Sequence, residues 1–441
     1  MFKSLFVIAL PIILQNLIQS TVNMLDTLMV GQLGSVEIAA VGLGNQIYIL
    51  LNMILFGISS GGGIFIAQYW GKKDKVGIWK TEGIMFSFSI IISLLFTIAS
   101  VFVPKFLIGL YSKDIQVIEI GSQYLRVAAF SFPFFGLSFA FSMALKSTEH
   151  VKLPMIATLI SLVMNGILNY LLIFGIGFFP ALGVVGAGVA TCISRAIECF
   201  VLFIVAYVKK FEVAASIKSF LKFTFFEIRK FIKIAFPVII NETIWGLGTT
   251  MQSLIMGRSS TLAISAFNIT NTISQITWVF FIGVGGAAAI LIGKKIGEGN
   301  EKEARHTANT LAWFMPVMAI FIGLLLLPIS RLLPFMFNVE GEILYQAKMM
   351  LMVLMCSYPL NAFNMCWVVG ICRAGGDTIF AAFADVGFMW LIAIPLASCV
   401  AYFTNLQPYM IYICLLSEQI FKAAVGFYRL KSGKWLHNVV E

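Results

Sequence analysis

A small group of polar residues stands out in an otherwise apolar sequence. Asp26 lies near the outer end of the first predicted helix, about 6 Å deep at a rise of about 1.5 Å per residue. Asn165 and Asn169 are four positions apart and share one face of the fifth predicted helix. Ala187 and Thr191 have the same spacing on the sixth. Their oxygens suit a hard cation or a carboxylate that takes up a proton, although Asn and Thr can also simply join helices by hydrogen bonds.

A second group lies deeper, in the second half of the chain. Glu242 is near the middle of the seventh predicted helix, beside Asn241 and Trp245, and Asp385 lies in the eleventh. A carboxylate next to aromatic rings attracts a cationic, aromatic ligand, so these residues are predicted to line a substrate cavity. The alternative for Glu242 is a structural role as a protonated or hydrogen-bonded side chain.

The first helix carries further candidates for the lining of this cavity. They are Gln15, Gln19 and Asn23, for which ordinary packing contacts are an equally good explanation. The chain also contains 20 Met and 41 Phe residues, which favour an adaptable apolar chamber. Contact with lipid is the alternative explanation for any single Phe.

The helices that must position these groups take up nearly the whole chain. Of its 441 residues 60% are hydrophobic and 11% are charged, whereas soluble domains average about 45–50% and about 25%. A large soluble catalytic or nucleic-acid-binding domain is therefore excluded. Since a membrane span needs about 20 apolar residues, the sequence predicts an all-α integral membrane protein. Its twelve transmembrane helices are placed near 5–30, 36–68, 83–110, 117–145, 151–174, 183–208, 231–257, 262–293, 308–334, 343–371, 377–403 and 408–430.

The basic residues predict the orientation of these helices. The chain has 30 Lys and Arg residues against 20 Asp and Glu residues, a net charge of +10, and most of the basic residues fall in the loops on one side. Because basic loops stay in the cytoplasm, both termini are predicted to be cytoplasmic and the protein to lie in the inner (plasma) membrane. The charge therefore does not indicate a nucleic-acid partner. The stretch from Phe211 to Lys233 places basic residues among Phe, Leu and Ile, which suits a helix on the inner leaflet.

The chain contains an internal repeat with an offset of 226 positions. Its matching pairs include Pro11 and Pro237, Gly31 and Gly257, Gly57 and Gly283, and Pro133 and Pro359. Six helices per copy give both copies the same orientation, as in transporters built from parallel repeats. The predicted organisation is an N-terminal six-helix bundle (1–208), a cytoplasmic amphipathic linker (209–230) and a C-terminal six-helix bundle (231–441), the two bundles being pseudo-symmetric.

Several kinds of chemistry find no support in the sequence. The glycine runs at Gly61–Gly63 and Gly285–Gly286 are not followed by the Lys-Ser/Thr of a phosphate-binding loop. The seven cysteines show no metal-type spacing. We therefore expect no cofactor, and we expect an ion gradient to drive any transport.

Taken together, these features resemble the multidrug and toxic compound extrusion (MATE) family over essentially the whole chain. The resemblance rests on Pro11 followed by Asp26 and Val30-Gly31, on Gln68-Tyr-Trp-Gly71, on Gly186-Ala-Gly-Val-Ala-Thr191, on Arg373-Ala-Gly-Gly-Asp377-Thr378, and on Gly433-Lys-Trp435. It implies two bundles arranged as a V and alternating access that couples export of cationic amphipathic drugs to entry of H⁺ or Na⁺. It also implies a monomer that contacts membrane lipids and binds no nucleic acid.

The resemblance places a cation site on residues of the first group. The family's positions fall on Asp26, Asn165, Asn169, Ala187 and Thr191, and all of these except Ala187 would be the ligands if the ion is Na⁺. Some members have Asp where this chain has Asn169, and others have an acid on the tenth helix where Asn361 and Asn364 stand. The first departure argues against a proton relay of two acids, and the second argues against a cation site in the C-terminal half that is as well defined as the first.

Two functions of other classes stay open. A lipid-linked glycan flippase would need a strongly cationic cavity for pyrophosphate, and the only candidates for its lining are Arg126, Arg195 and Lys422. A membrane-embedded enzyme would need a metal cluster or a nucleophile motif, and the sequence contains neither.

Overall fold

The computed structural model describes residues 1–177, 179–337, 339–404 and 406–441. In these residues twelve helices are long and apolar enough to cross a membrane, and no β-strand is present. The predicted fold class is therefore confirmed. The twelve spanning helices are Phe2–Gly31, Ser35–Lys72, Lys75–Phe102, Ile115–Ser147, Lys152–Phe174, Gly183–Val208, Phe225–Ser259, Thr261–Gly297, Glu301–Pro328, Gly341–Arg373, Thr378–Phe403 and Pro408–Ser432.

The third and ninth helices begin earlier than the sequence predicts. The third starts at Lys75 and not near 83, because Asp74 caps it by accepting a hydrogen bond from the Gly77 amide at 3.0 Å. The ninth starts at Glu301, whose negative charge suits a helix N-terminus. In both cases the charged residues suggested a loop. In the structure they form the first turns of the helix, which is longer than its apolar segment.

The segment between the sixth and seventh helices is less helical than expected. Only Ile217–Phe220 forms a short helix there, and the seventh spanning helix already begins at Phe225. The Phe220 backbone packs directly on Gly83, where a side chain would collide with the Phe220 carbonyl. The ring of Phe220 contacts Phe86 edge-on, with centroids 5.4 Å apart. These contacts attach the segment to the third helix.

The described chain divides into two compact units. One contains Met1–Ile13 together with Ile240–Glu441, and the other contains Leu14–Ile239. The start of the first helix thus groups with the second half of the sequence, and the start of the seventh groups with the first half. The predicted limits of the two six-helix bundles, at residues 208 and 231, stay a prediction.

Glycines permit close packing within each unit. A Cβ added to Gly57 would lie 2.6 Å from the Ile239 Cα, and one added to Gly61 would lie 2.6 Å from the Ala235 Cα. In the other unit a Cβ on Gly283 would overlap Ile13. Gly283 and Ile239 stand 226 positions after Gly57 and Ile13, so the repeat found in the sequence recurs in the packing.

Candidate functional site

In the unit Leu14–Ile239, Asp26 is hydrogen-bonded to Asn169, and Asn169 is hydrogen-bonded in turn to Asn165. The Asn169 amide donates to Asp26 Oδ1 at 2.5 Å and is also 3.2 Å from Asn165 Oδ1. The Asn165 amide in turn lies 3.4 Å from the Ser194 hydroxyl. Asn165 and Asn169 are 1% and 0% exposed, so the carboxylate meets a buried amide pair. The first, fifth and sixth helices each supply part of this cluster.

Ala187 and Thr191 of the sixth helix lie beside the cluster and make contacts of a different kind. Thr191 turns its hydroxyl back to the Ala187 carbonyl at 2.9 Å, and its own carbonyl accepts from Ser194 at 3.1 Å. Ala187 packs in an apolar cluster with Val30 and Tyr124. Ser194 therefore connects this helix to Asn165, and sequence reasoning did not single it out.

One oxygen of the cluster has no hydrogen-bond partner among the described residues. Asn169 Oδ1 is buried and accepts nothing, while the nitrogen of the same amide serves both Asp26 and Asn165. A buried polar atom without a partner is costly. This free carbonyl oxygen beside a carboxylate is what a hard cation takes as a ligand.

A buried ion pair stands next to this cluster on the sixth helix. Arg195 Nη1 lies 2.8 Å from Glu198 Oε2, and both side chains are less than one-tenth exposed. Glu198 Oε1 accepts from Thr158, which itself accepts from the Gln15 amide at 3.0 Å. Gln15, predicted to line a substrate cavity, is thus half-buried in this network.

Arg126 and Arg195, the two arginines considered for a cationic cavity, have different environments. Arg195 is buried and also donates to Gln19 and to the Tyr48 hydroxyl, at 3.3 and 3.1 Å. Arg126 is exposed. Glu198 was not predicted from the sequence, although its spacing of three from Arg195 on one helix is typical of an ion pair.

The unit Met1–Ile13 with Ile240–Glu441 contains a second polar cluster. Asp385 accepts from Asn241 at 3.1 Å and from Lys422 at 2.9 Å. Lys422 is also 3.2 Å from Glu418 Oε1, one turn earlier on its own helix. Sequence reasoning noted Lys422 but not Glu418, whose spacing of four from Lys422 was again the available signal.

Glu242 is paired with an arginine. Arg373 Nη2 lies 2.6 Å from Glu242 Oε1, and the Arg373 side chain is 5% exposed. Arg373 lies just beyond the predicted end of the tenth helix near 371, but in the structure it is the last residue of that helix. Trp245 is half-buried one turn further along the seventh helix. The side chain of Asn23, another predicted cavity residue, lies outside the described part of the structure.

The described residues contain no cluster of the side chains that usually bind transition metals. Within residues 1–177, 179–337, 339–404 and 406–441, no three His, Cys, Asp or Glu side chains come close enough to hold a metal ion. The oxygens of Asp26, Asn165, Asn169 and Thr191 are ligands of the kind that alkali cations use, and Asn169 supplies the buried free oxygen.

Known proteins resemble this chain over nearly its full length. A model of the MatE family matches residues 11–171 and 237–399. The probable multidrug resistance protein YoeA of Bacillus subtilis (strain 168) is 24% identical over 92% of this chain and 88% of its own length. The probable multidrug resistance protein NorM of Pasteurella multocida (strain Pm70) is 25% identical, also over 92% and 88%.

Solved structures show the same fold. A MATE crystal structure in a bent conformation superposes with a TM-score of 0.88 at 18% identity, and a MOP superfamily transporter from Pyrococcus furiosus does so with 0.86 at 18%. Both comparisons cover 98% of this chain and 96% of the other.

Proposed function

The chain belongs to the MatE family of membrane transporters, and from this premise we propose that it is an antiporter that exports cationic, amphipathic drugs or toxic compounds in exchange for H⁺ or Na⁺. The observation that carries the proposal is the Asp26 carboxylate bound to Asn169, whose buried carbonyl oxygen has no partner among the described residues. A monovalent ion neutralises the carboxylate, and Na⁺ would also gain that oxygen as a ligand.

Neutralisation of Asp26 changes what the first helix can bind. An ionised Asp26 holds the Asn169 amide by a charge-assisted hydrogen bond, which is stronger than a bond to a neutral acid. Uptake of the ion weakens this bond and frees the first helix to move. We propose that this movement accompanies release of the drug on the outer side, and that the emptied protein reloads from the cytoplasm by alternating access.

The charges of the other unit favour a cationic substrate. Its cluster contains three carboxylates, Glu242, Asp385 and Glu418, and two cations, Arg373 and Lys422. With all three carboxylates ionised, the cluster has one excess negative charge, which a proton or a cationic substrate neutralises. We propose that Asn241, Trp245 and this excess charge contribute to drug binding, as the aromatic ring and carboxylates predict.

The pairing of the buried charges disfavours transport of a lipid-linked glycan. Each buried cation described above is paired with a carboxylate, as Arg195 is with Glu198, and Arg126 is exposed. A pyrophosphate would meet no free cationic group among these residues. Multi-pass insertion in the plasma membrane with both termini cytoplasmic stays part of the proposal.

Substitution Asp26→Asn tests the coupling site. Proteoliposomes containing this variant should lose efflux of ethidium or norfloxacin driven by a pH or Na⁺ gradient, each imposed separately. The protein should stay folded, because an amide can still hydrogen-bond to Asn169.

Asp114→Asn is the matched control. Asp114 caps the helix Ile115–Ala128 by accepting from the Gln116 amide at 2.9 Å, a role that Asn performs about equally well, so efflux should be unchanged. Full gradient-driven efflux by the Asp26→Asn variant would refute the proposal, and the gradient that drives the wild type identifies the ion.

A further inference from the structure

Three side chains form a buried triad on the eleventh and twelfth helices. Lys422 Nζ lies 2.9 Å from Asp385 Oδ1 and 3.2 Å from Glu418 Oε1. The Lys422 and Glu418 side chains are 3% and 4% exposed, whereas Asp385 is 19% exposed. The ammonium therefore bridges one nearly inaccessible carboxyl group and one that reaches a more open region.

The charges of the triad do not balance. Two carboxylates share one ammonium, and the neighbouring cations are already matched: Arg373 by Glu242 at 2.6 Å, and Arg429 by Asp377 at 2.7 Å. Of the described charged groups, Lys422 and Asp385 face Glu418, and Arg373 on the tenth helix acts on Asp385. One negative charge is left over in a region where an unpaired charge is expensive.

Hydrogen bonding shows which carboxyl group would carry the unmatched negative charge. Both oxygens of Asp385 are satisfied, Oδ1 by Lys422 and Oδ2 by Asn241. On Glu418, Oε1 receives Lys422 and the Gln419 amide, but Oε2 is buried and has no partner among the described residues. An ionised oxygen in that position would be unsolvated, and a proton removes the charge.

We propose that Glu418 holds a proton against Lys422 and Asp385 and so forms a proton-binding site separate from Asp26. A metal ion is a poor occupant, because the Lys422 ammonium already lies between the two carboxyl groups and would repel it. Asp26 belongs to the other compact unit, which makes this a second titrating position in the chain.

The triad also supplies a route for exchange. When a cationic ligand pairs with the partly exposed Asp385, Lys422 is left to neutralise Glu418, whose O–H bond then breaks and releases its proton to water. One cation enters and one proton leaves, so the charge of the triad is conserved. This exchange step rests on the proposed function, whereas the proton on Glu418 does not.

Infrared spectroscopy of the purified protein in lipid nanodiscs tests the proton directly. The wild type at neutral pH should show the C=O stretch of a protonated carboxylic acid that is absent from Glu418→Gln. The measurement is best made in a Glu82→Gln background, because Glu82 is a second fully buried carboxyl group with no partner among the described residues. Equal acid bands with and without Glu418 would overturn the proposal.

Proton release on ligand binding tests the exchange. Ethidium added to the weakly buffered protein should release one proton fewer per bound ligand from Glu418→Gln than from the wild type. Glu418→Asp should restore the release, and Asp377→Asn, which alters a carboxylate matched by one arginine, should leave it unchanged. Undiminished release from Glu418→Gln would overturn the exchange.

The two failures are distinguishable. If the proposed function is wrong, ethidium does not bind but the acid band of Glu418 persists. If the present inference is wrong, ethidium binds and is exported while the Glu418→Gln variant matches the wild type in both measurements.

Discussion

At the residue scale, several of the membrane-embedded charges occur as pairs and clusters. Arg195 and Glu198 are the clearest case: both are buried, and Thr158, Gln19 and Tyr48 make further hydrogen bonds to them. The guanidinium also lies 5.1 Å from the centre of the Phe135 ring, a favourable cation–π distance. A pair held in this way contributes mainly by avoiding an isolated charge.

Removal of one partner should therefore cost more than removal of both. We expect Arg195→Met to destabilise the protein by about 3 kcal/mol, because Glu198 is left buried without its cation. The double variant Arg195→Met with Glu198→Met should recover most of this loss. Thermal unfolding of the detergent-purified variants measures the difference, and a double variant less stable than the single one would contradict the argument.

At the scale of elements, glycine contacts determine how closely helices approach. Gly57 and Gly61 on the second helix let Ile239 and Ala235 of the seventh pack against its backbone. Small residues at such positions are typical of membrane helix packing, where lipid provides no hydrophobic drive for association.

Substitution Gly57→Ala should lower stability by about 1–3 kcal/mol, because the added Cβ must displace the Ile239 backbone. Gly42→Ala on the same helix is the matched control, since no atom lies within 4 Å of its Cβ position. The melting temperature and the yield of monodisperse protein are the measurements. Equal values for the two variants would show that the Gly57 contact does not limit packing.

A loop contact makes a pH-dependent contribution. Burial raises the pKa of Glu212, but hydrogen bonds from the His150 ring, 3.1 Å away, and from its own backbone outweigh this, so the pKa is lowered overall. Because the pKa of Glu212 is lower in the folded protein, ionised Glu212 stabilises the fold at pH values above the ordinary pKa of glutamate. This stabilisation disappears as the pH falls through the lowered pKa.

Comparison of Glu212→Gln with the wild type should reveal this dependence. The variant should be less stable than the wild type near neutral pH, and the gap should close as the pH falls below the usual pKa of glutamate. Melting temperatures over a pH series measure it. A difference in melting temperature that grows at acidic pH would contradict the lowered pKa of Glu212.

At the scale of the whole molecule, the repeat and the basic loops predict an even number of spans with both ends inside. A bacterial alkaline phosphatase fused after Glu441 should be inactive, because this enzyme folds only outside the cytoplasm. A fusion after Lys113, in a predicted outer loop, should be active. Activity of the Glu441 fusion would reverse the predicted orientation.

Much of the architecture is readable from the sequence because a bilayer restricts the possible structures. Apolar segments of spanning length must be helices, so their number was predicted correctly, and the repeat followed from matching Gly and Pro positions. Helix starts were harder to predict, since charged residues such as Lys80 and Glu82 occur in loops and in helix ends alike.

The composition and periodicity of the chain determined the membrane class, the twelve helices, the repeat and the candidate residues Asp26, Asn165 and Asn169. Tertiary structure alone decided the partners: Glu242 with Arg373, Asp385 with Lys422, and Ser194 with Asn165. The physical reason is that helix periodicity reports which residues share a face, whereas electrostatic pairing depends on which faces meet across more than 100 positions of chain, as they do for Glu242 and Arg373.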